Sequence, residues 1–471
     1  MPSVMLRILC LGLVFVLVSC KVGPDYARPD IPVADSFRMA GEPKDMQSLA
    51  NLPWWELYRD EELQRLIRIA LEENKDLKRA VATVDEFAAR VLVARTDFVP
   101  QMNANINAPV FGNTRNIQFR GFPNPFNYYF QGNLAWELDI WGRIRRSNEA
   151  ALGDLLAREE NRRALVLQIV AGVAQAYFDL RQFDLQLEIA RNTLQAWDES
   201  VRLAKARFRE GYINKLDVDQ FEAEQANAAA RIAELKRQIV QKENEISVLL
   251  GRNPTKITRG RALTEQVMPP LVPAGLPSEL LQRRPDVMQA ELQLAAATAR
   301  IGQAKADRFP KLSITGILGI ASPQLTKLVS NDTFFGVAGA GVAAPLVNAQ
   351  ILGFQQKASE GQAGQAEAQY EQTILTAFRE VEDALVAVTT AVEQVAAQER
   401  QVKALQSALR LANLRYTGGI ANYLDVLIAQ RNRFDAELAL ASTRRLHLVS
   451  VVQLYKALGG GWLPAPAAQA Q

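Results

Sequence analysis

Histidine is nearly absent from this chain of 471 residues: there is one, His447, and only two cysteines, Cys10 and Cys20, both among the first twenty positions. A zinc or haem site needs several His or Cys ligands, and a Ser/His/Asp or Cys/His nucleophile needs an imidazole beside its hydroxyl or thiol. Neither can be assembled here. A paired-carboxylate hydrolase survives the count, yet the sequence has no compact carboxylate motif and no Gly-rich phosphate loop. The expectation is a protein that is not an enzyme and carries no cofactor or metal. His447 lies in the apolar run Leu446, Leu448, Val449 and reads as a packed helix residue. Charge of one sign is also lacking: 54 Lys and Arg face 51 Asp and Glu, net +3, with no basic tail or cluster, which argues against nucleic acid.

A long apolar run is missing too. The run Ile8 to Val18 is about eleven residues, short of the roughly twenty that a membrane helix needs, and it ends at Leu17-Val18-Ser19-Cys20 before Lys21-Val22-Gly23-Pro24. Arg7 precedes it. Residues 1–19 are therefore expected to be an export signal. Leu-Val-Ser-Cys resembles the bacterial lipobox, which implies cleavage before Cys20, acylation of that residue and a lipid anchor. Lys21, in place of the Asp that retains lipoproteins in the inner membrane, implies transfer to the outer one.

What is present is a repeat of about 210 residues. Asp76-Leu77, Ala80, Ala89-Arg90, Asp97 and Pro100 match Asp286-Val287, Ala290, Ala299-Arg300, Asp307 and Pro310. Arg207-Phe208, Gly211, Leu216-Asp217-Val218 and Leu250-Gly251 match Arg415-Tyr416, Gly419, Leu424-Asp425-Val426 and Leu458-Gly459.

Each half opens with a helix-forming stretch, about 60–97 and 277–308, stopped by proline. Residues alternating with period two follow: Met102, Ala104, Ile106 and Ala108 against Asn103, Asn105 and Asn107, then Phe130, Leu134, Trp136 and Leu138 against Gln131, Asn133 and Glu137. Half-buried soluble strands share this pattern, but runs of about ten residues with Tyr128, Tyr129, Trp136 and Trp141 nearby favour membrane strands. The second hairpin, near 312–321 and 335–344, alternates less cleanly and rests mainly on the duplication.

Proline-free stretches over about 143–210 and 349–416 read as helices of roughly 100 Å each. Gly turns follow at 211–215 and 418–423, and helices of about 35 residues return to Gly251 and Gly459. The lead-in and returning helices, stacked end to end, match the long one. The Gly turns are thereby expected at the end farthest from the strands.

Four strands cannot close a barrel, and hydrocarbon does not accept an open strand edge, so the chain must assemble. Two copies give eight strands and a filled lumen; three give twelve and a channel. At the Gly turns, Asn214 and Asn422 are N-cap residues that put Asp217 and Asp425 at N3 of the returning helices. Tyr416 is expected either to pack across the tip or to serve as a core aromatic.

Together these residues resemble the TolC-like outer-membrane efflux family, in its lipoprotein (NodT-type) branch. The segments that carry the likeness are Cys20-Lys21-Val22-Gly23-Pro24-Asp25-Tyr26 with Arg28-Pro29; Trp54-Trp55-Glu56-Leu57-Tyr58; Trp136-Glu137-Leu138-Asp139-Ile140-Trp141-Gly142-Arg143; Leu276-Pro277-Ser278 with Arg283-Arg284-Pro285-Asp286; and Leu424-Asp425-Val426-Leu427. The resemblance implies a mixed α+β membrane protein, a homotrimer whose twelve-stranded outer-membrane β-barrel continues into a twelve-helix periplasmic α-barrel. Its implied parts are a signal (1–19), an anchor and equatorial segment (20–59), a first repeat (60–251), an equatorial linker (252–276), a second repeat (277–459) and a tail (460–471).

The implied function is a passive exit duct, with a periplasmic adaptor and an inner-membrane efflux pump of the resistance-nodulation-division class as partners. It also implies a gate containing Asp425, Asp217 and Tyr416, with Asp425 facing the lumen. The chain departs from the family at Asn348-Ala349-Gln350, at Ile428, where many members have a second aspartate, and at Ala421, where some have an arginine. A protein-secretion duct and a coiled-coil envelope lipoprotein without a pore are the competing readings.

Overall fold

In a computed structural model, residues 21–32, 36–38, 59–108, 128–266, 277–322, 324–420 and 423–460 are described. The signal segment, Cys20, the Trp54 motif, Ala421, Asn422 and the C-terminal tail lie outside them. The chain divides into two units: Met1–Asp30, Ala82–Glu159 and Gln289–Gln372 form the first, and Ile31–Val81, Glu160–Met288 and Thr373–Gln471 the second.

The chain is mostly helical, with one four-stranded sheet. In order come α1 (Glu61–Glu73), α2 (Lys75–Thr96), β1 (Gln101–Asn107), β2 (Tyr128–Leu138), α3 (Arg143–Arg209), α4 (Lys215–Leu249), α5 (Pro277–Arg283), α6 (Pro285–Ala306), β3 (Lys311–Ser322), β4 (Phe334–Ala343), α7 (Ala349–Thr417) and α8 (Tyr423–Ala457). Short 3₁₀ turns interrupt the connections. Element for element, the second half repeats the first.

The sheet lies in the first unit, antiparallel throughout in the order β1-β2-β3-β4, so the two repeats join through β2 and β3. Its register sorts the side chains. Met102, Leu134, Gly316 and Ala338 share one row, and Ala104, Gly132, Leu318 and Gly336 the next. Followed across all four strands, that face carries apolar residues and glycine until the Tyr128–Ser322 pair at the far end of β2 and β3. It stands bare within the chain: Met102 is 75% exposed, Ile106 79%, Phe334 63% and Val342 69%. The other face carries Asn103, Asn105, Gln131, Asn133, Ser313 and Thr315, together with Ile317, Phe335 and Val337, so it is polar over β1, β2 and the start of β3 and not over β4. Tyr129, paired with Asn107, sits there too, away from Trp136. Such an apolar face needs a covering that is not water. β1 and β4 are the two edges and pair with no further strand among the described residues.

Glycine sets the helix ends. Gly211, Gly251, Gly419 and Gly459 all have φ between 69° and 76°, and each ends its helix in the same way. At Gly211, the Tyr212 N–H donates to the Arg207 carbonyl and the Gly211 N–H to Phe208; at Gly419, Ile420 donates to Arg415 and Gly419 to Tyr416. These are Schellman closures.

The expected unbroken helices over 60–97 and 277–308 are each split, which corrects that reading. The first breaks at Asn74, whose side chain caps α2 by accepting from the Leu77 N–H (3.0 Å) and donates to the Leu249 carbonyl (2.8 Å). The second breaks at Arg284, because Pro285 can open a helix but not continue one. Arg284 is 5% exposed; it donates to the Ala457 carbonyl at 3.0 Å, to Glu380 at 2.7 Å and to Asp286. In each repeat the end of the returning helix abuts the break. A Cβ on Gly251 would lie 2.3 Å from the Glu73 carbonyl oxygen, and one on Gly459 3.0 Å from that of Arg283.

Gly251→Ala should therefore be much the costlier of two chemically identical changes. Gly211 has the same positive φ but nothing within 4 Å, so Gly211→Ala carries only the backbone penalty, about 1–2 kcal/mol. Gly251→Ala adds a clash with backbone that cannot rotate away. Thermal midpoints in detergent should rank wild type, Gly211→Ala, Gly251→Ala; equal midpoints for the two variants would refute the close packing.

Near its middle, α3 presents a run of hydrogen-bonding side chains, all within the second unit. Tyr177 donates to Asp60 at 2.9 Å and accepts from the Gly260 N–H at 2.9 Å. Asp179 is paired with Lys242 and Arg445, and Asp184 with Arg181 and Arg259, the latter also holding Glu243. One stretch of α3 thereby anchors α1, α4, α8 and the 257–266 linker.

Candidate functional site

The two Gly turns that lead into α4 and α8 both belong to the second unit. Beside them lies an apolar cluster: Trp197, Val201 and Ala204 of α3, Val218, Phe221 and Ala228 of α4, and Tyr423, Val426 and Leu427 of α8. At its heart Phe221 stacks on Tyr423 with centroids 3.8 Å apart, Trp197 meets Phe221 edge-on at 6.3 Å, and Tyr416 meets Tyr423 edge-on at 5.0 Å. Such pairs contribute about 0.5–1.5 kcal/mol each beyond burial. Burial pushes the Tyr423 phenol well above its ordinary range, which keeps it neutral.

Tyr416 is half-buried. Its ring packs on the cluster, and its hydroxyl accepts a hydrogen bond from Arg207, whose guanidinium carbon stands 4.7 Å from the ring centroid. The contact joins the last turn of α3 to the last turn of α7. It also crosses the repeats, because Arg207 and Arg415, and Phe208 and Tyr416, are duplicate pairs. That duplication was the available signal for Arg207. Nothing in the sequence singled out Trp197, Phe221 or Tyr423, which the fold alone brings together.

The two aspartates, equivalent by repeat, sit in different surroundings. Asp217 closes a capping box: the Asn214 side chain accepts from the Asp217 N–H at 3.0 Å, while the Asp217 carboxylate accepts from the Asn214 N–H at 3.3 Å. Asp425, at N3 of α8, is exposed and has no partner among the described residues. Its cap position, Asn422, is outside them. Around Asp425 the surface is apolar, with Ile420 75%, Leu424 45% and Ile428 40% exposed. A carboxylate there keeps its charge available to solvent or to a passing solute, whereas that of Asp217 is committed to the backbone.

Comparison with known proteins gives one consistent picture. The family model described as outer membrane efflux protein matches residues 66–252 and 276–460. The chain is similar to the toluene efflux pump outer membrane protein TtgC of Pseudomonas putida, 36% identical over 95% of this chain and 94% of that one. It is also similar to the cation efflux system protein CusC of Escherichia coli, 32% identical over 95% and 96%. Among solved structures, the open state of the MtrE outer membrane channel of Neisseria gonorrhoeae superimposes with a TM-score of 0.84 at 30% identity, covering 94% of this chain and 98% of that one.

Proposed function

The chain belongs to the outer membrane efflux protein family, and from that premise we propose that it is the outer-membrane exit duct of a tripartite efflux pump, lipid-anchored through Cys20 and trimeric. The observation that carries the reading is the sheet: one face apolar over nearly its whole extent and largely exposed, the other polar over β1, β2 and the start of β3, and two strand edges left unpaired among the described residues. Hydrocarbon tolerates the bare face but not the edges, so β1 of one copy must pair with β4 of the next until the ring closes. Three copies supply twelve strands, the polar face then lines a water-filled lumen, and the long helices continue that lumen into the periplasm.

The division into signal (1–19), anchor and equatorial segment (20–59), two repeats (60–251 and 277–459), linker (252–276) and tail (460–471) follows the same reading. A periplasmic adaptor and an inner-membrane pump deliver the solute, and the duct performs no chemistry. Its relatives' names speak of toluene and of cations, which favours small molecules and ions over proteins as cargo. The gate is the cluster at the Gly turns. Arg207 and Tyr416 tie α3 to α7 across the closed tip, Asp425 supplies charge to the passage, and Asp217 secures α4.

Two measurements on the purified mature protein test the proposal. Native mass spectrometry should give three chains, each beginning at Cys20 and carrying acyl mass. A planar bilayer should show discrete conductance steps. A stable monomer, or a bilayer that stays silent, would favour a coiled-coil envelope lipoprotein instead.

A further inference from the structure

A chain terminus without regular structure ordinarily frays unless something ties it down. Residues 21–28 have no helix or strand, yet within the first unit they are held at two points. The first is at Gly23. Its φ is +96°, and a Cβ there would lie 2.4 Å from the Gly302 Cα of α6. Gly302 in turn has no room for a Cβ, which would meet the Arg146 side chain at 2.6 Å.

Arg146, only 2% exposed, spends its guanidinium on the strap. It donates to the Gly23 carbonyl at 3.1 Å and the Val22 carbonyl at 3.3 Å, and pairs with Asp25 and Glu149 at 3.0 Å each. The Val22 N–H donates to the Trp141 carbonyl at 3.2 Å, and Lys21 reaches Glu149 at 2.6 Å. The second point is Glu291 of α6, which accepts a bidentate pair from Arg28 at 2.8 and 2.6 Å and a third bond from Tyr26 at 3.1 Å.

The place where the strap begins gives this clasp its meaning. A Cβ on Gly142 would be 3.4 Å from the Lys21 Cα, and Gly142 lies between Leu138, the end of β2, and Arg143, the start of α3. Trp141 stacks there on Phe309 at 4.8 Å, and its indole N–H donates to the Pro310 carbonyl, just before β3 begins. Aromatic rings with one polar handle settle at membrane interfaces. The residue read as acylated precedes Lys21 by one peptide unit, about 3.8 Å between α-carbons.

We propose that residues 21–28 are a clasped arm that fixes the lipid attachment point at the boundary between sheet and helices, with Arg146 as its positioning residue; the proposal rests on the reading of Cys20 as acylated. The anchor is then a depth gauge. Acyl chains fixed at the sheet's edge set how far the apolar face sinks into the bilayer, in the same way in every copy, whereas a loose tether of the same length would merely keep the protein near the membrane.

The arm's lock is read by a lysine-specific protease acting on the full-length mature protein in detergent, because the Lys21–Val22 bond is pinned through the Val22 N–H. Intact-mass spectrometry follows loss of the acylated Cys-Lys dipeptide. Arg146→Ala and Gly302→Val should each be cut there at least about ten-fold faster than wild type, since local opening governs such cleavage. Cleavage at other lysines and the trimer population should not change. A merely structural Arg146 would instead expose lysines throughout and lower trimer stability.

If Arg146→Ala fails to assemble, Arg28→Ala, at the half-exposed distal lock, gives the same readout without touching the buried cluster. Rates within two-fold of wild type in the variants that assemble overturn the clasp. A wild-type mass without acyl groups overturns the anchor role and the Cys20 reading, while the cleavage rates still report separately on the clasp.

Discussion

Asp60→Ala should cost at least about 3 kcal/mol of stability. The residue is 2% exposed, and its carboxylate is the common acceptor for five donors. One oxygen caps α1 through the Glu62 and Leu63 N–H groups; the other receives the Tyr177 hydroxyl at 2.9 Å, the Arg261 N–H at 3.0 Å and the Gln266 amide at 2.8 Å. Alanine leaves all five without their acceptor, in a place where water has little access. A cap alone contributes about 0.5–2 kcal/mol, and each buried group left unsatisfied costs about 1–3 kcal/mol, so the sum passes the threshold even if some groups find water.

The same site gives an acid limb to stability. Burial pushes the Asp60 carboxyl up, but the hydrogen bonds from Gln266, Tyr177, Leu63 and Arg261 outweigh it and hold it below its ordinary value. A folded pKa below the unfolded one, about 3.9, means that the contribution is complete above that value and is lost as pH falls through the lower folded one. Asp60→Asn keeps the shape and removes the titration. Thermal midpoints between pH 7 and pH 3 should fall less steeply for Asp60→Asn than for wild type. Parallel curves would mean that Asp60 plays no part in acid unfolding.

How far the sequence disclosed this architecture depended on the range of the interactions involved. The expected helices over 143–210 and 349–416 meet α3 at Arg143–Arg209 and α7 at Ala349–Thr417, because absent proline and flanking glycine act locally. The second hairpin looked irregular as a string, since Gly316 and Gly336 blur the alternation. Paired in register, those glycines fall on the apolar face with Ile314 and Leu318, while Ile317, Phe335 and Val337 fall on the other, so the alternation stays weak in this hairpin even with its partner strands in place.

The breaks at Asn74 and Arg284 were missed for different reasons. Pro285 was a legible stop that the surrounding helix formers masked. Asn74 gives no local sign, and its role appears only when the Leu249 carbonyl arrives from 175 residues away. The aromatic cluster and the Arg146 clasp likewise depend on contacts between distant segments, which composition and periodicity cannot reveal. By contrast, the equivalence of Asp217 and Asp425 was legible but incomplete, because sequence position alone does not say whether a carboxylate is already committed.

That difference predicts opposite outcomes for two matched substitutions. Asp217→Ala should lower the stability of the α4 tip by about 0.5–2 kcal/mol, the worth of a cap, and leave ion selectivity as it was. Asp425→Ala should do the reverse. An exposed carboxylate with no partner among the described residues has little packing to lose, but in the trimeric duct proposed above three lumen-facing copies would make an acidic ring that attracts cations and repels anions. Ile428, exposed one helical turn further on, adds no charge to reinforce it, so on the proposed reading one ring would carry the preference. The measurement is the reversal potential of single channels under a salt gradient. It should be made at low ionic strength, where the Debye length reaches about 30 Å at 0.01 M and the ring is least screened. There the cation-to-anion permeability ratio should fall about two-fold or more for Asp425→Ala and recover for Asp425→Glu. At 1 M salt, with screening over about 3 Å, wild type and variant should converge. If Asp425→Ala retains the wild-type ratio at low salt and only melts earlier, its carboxylate is a second helix cap, and the passage must owe its charge to other residues.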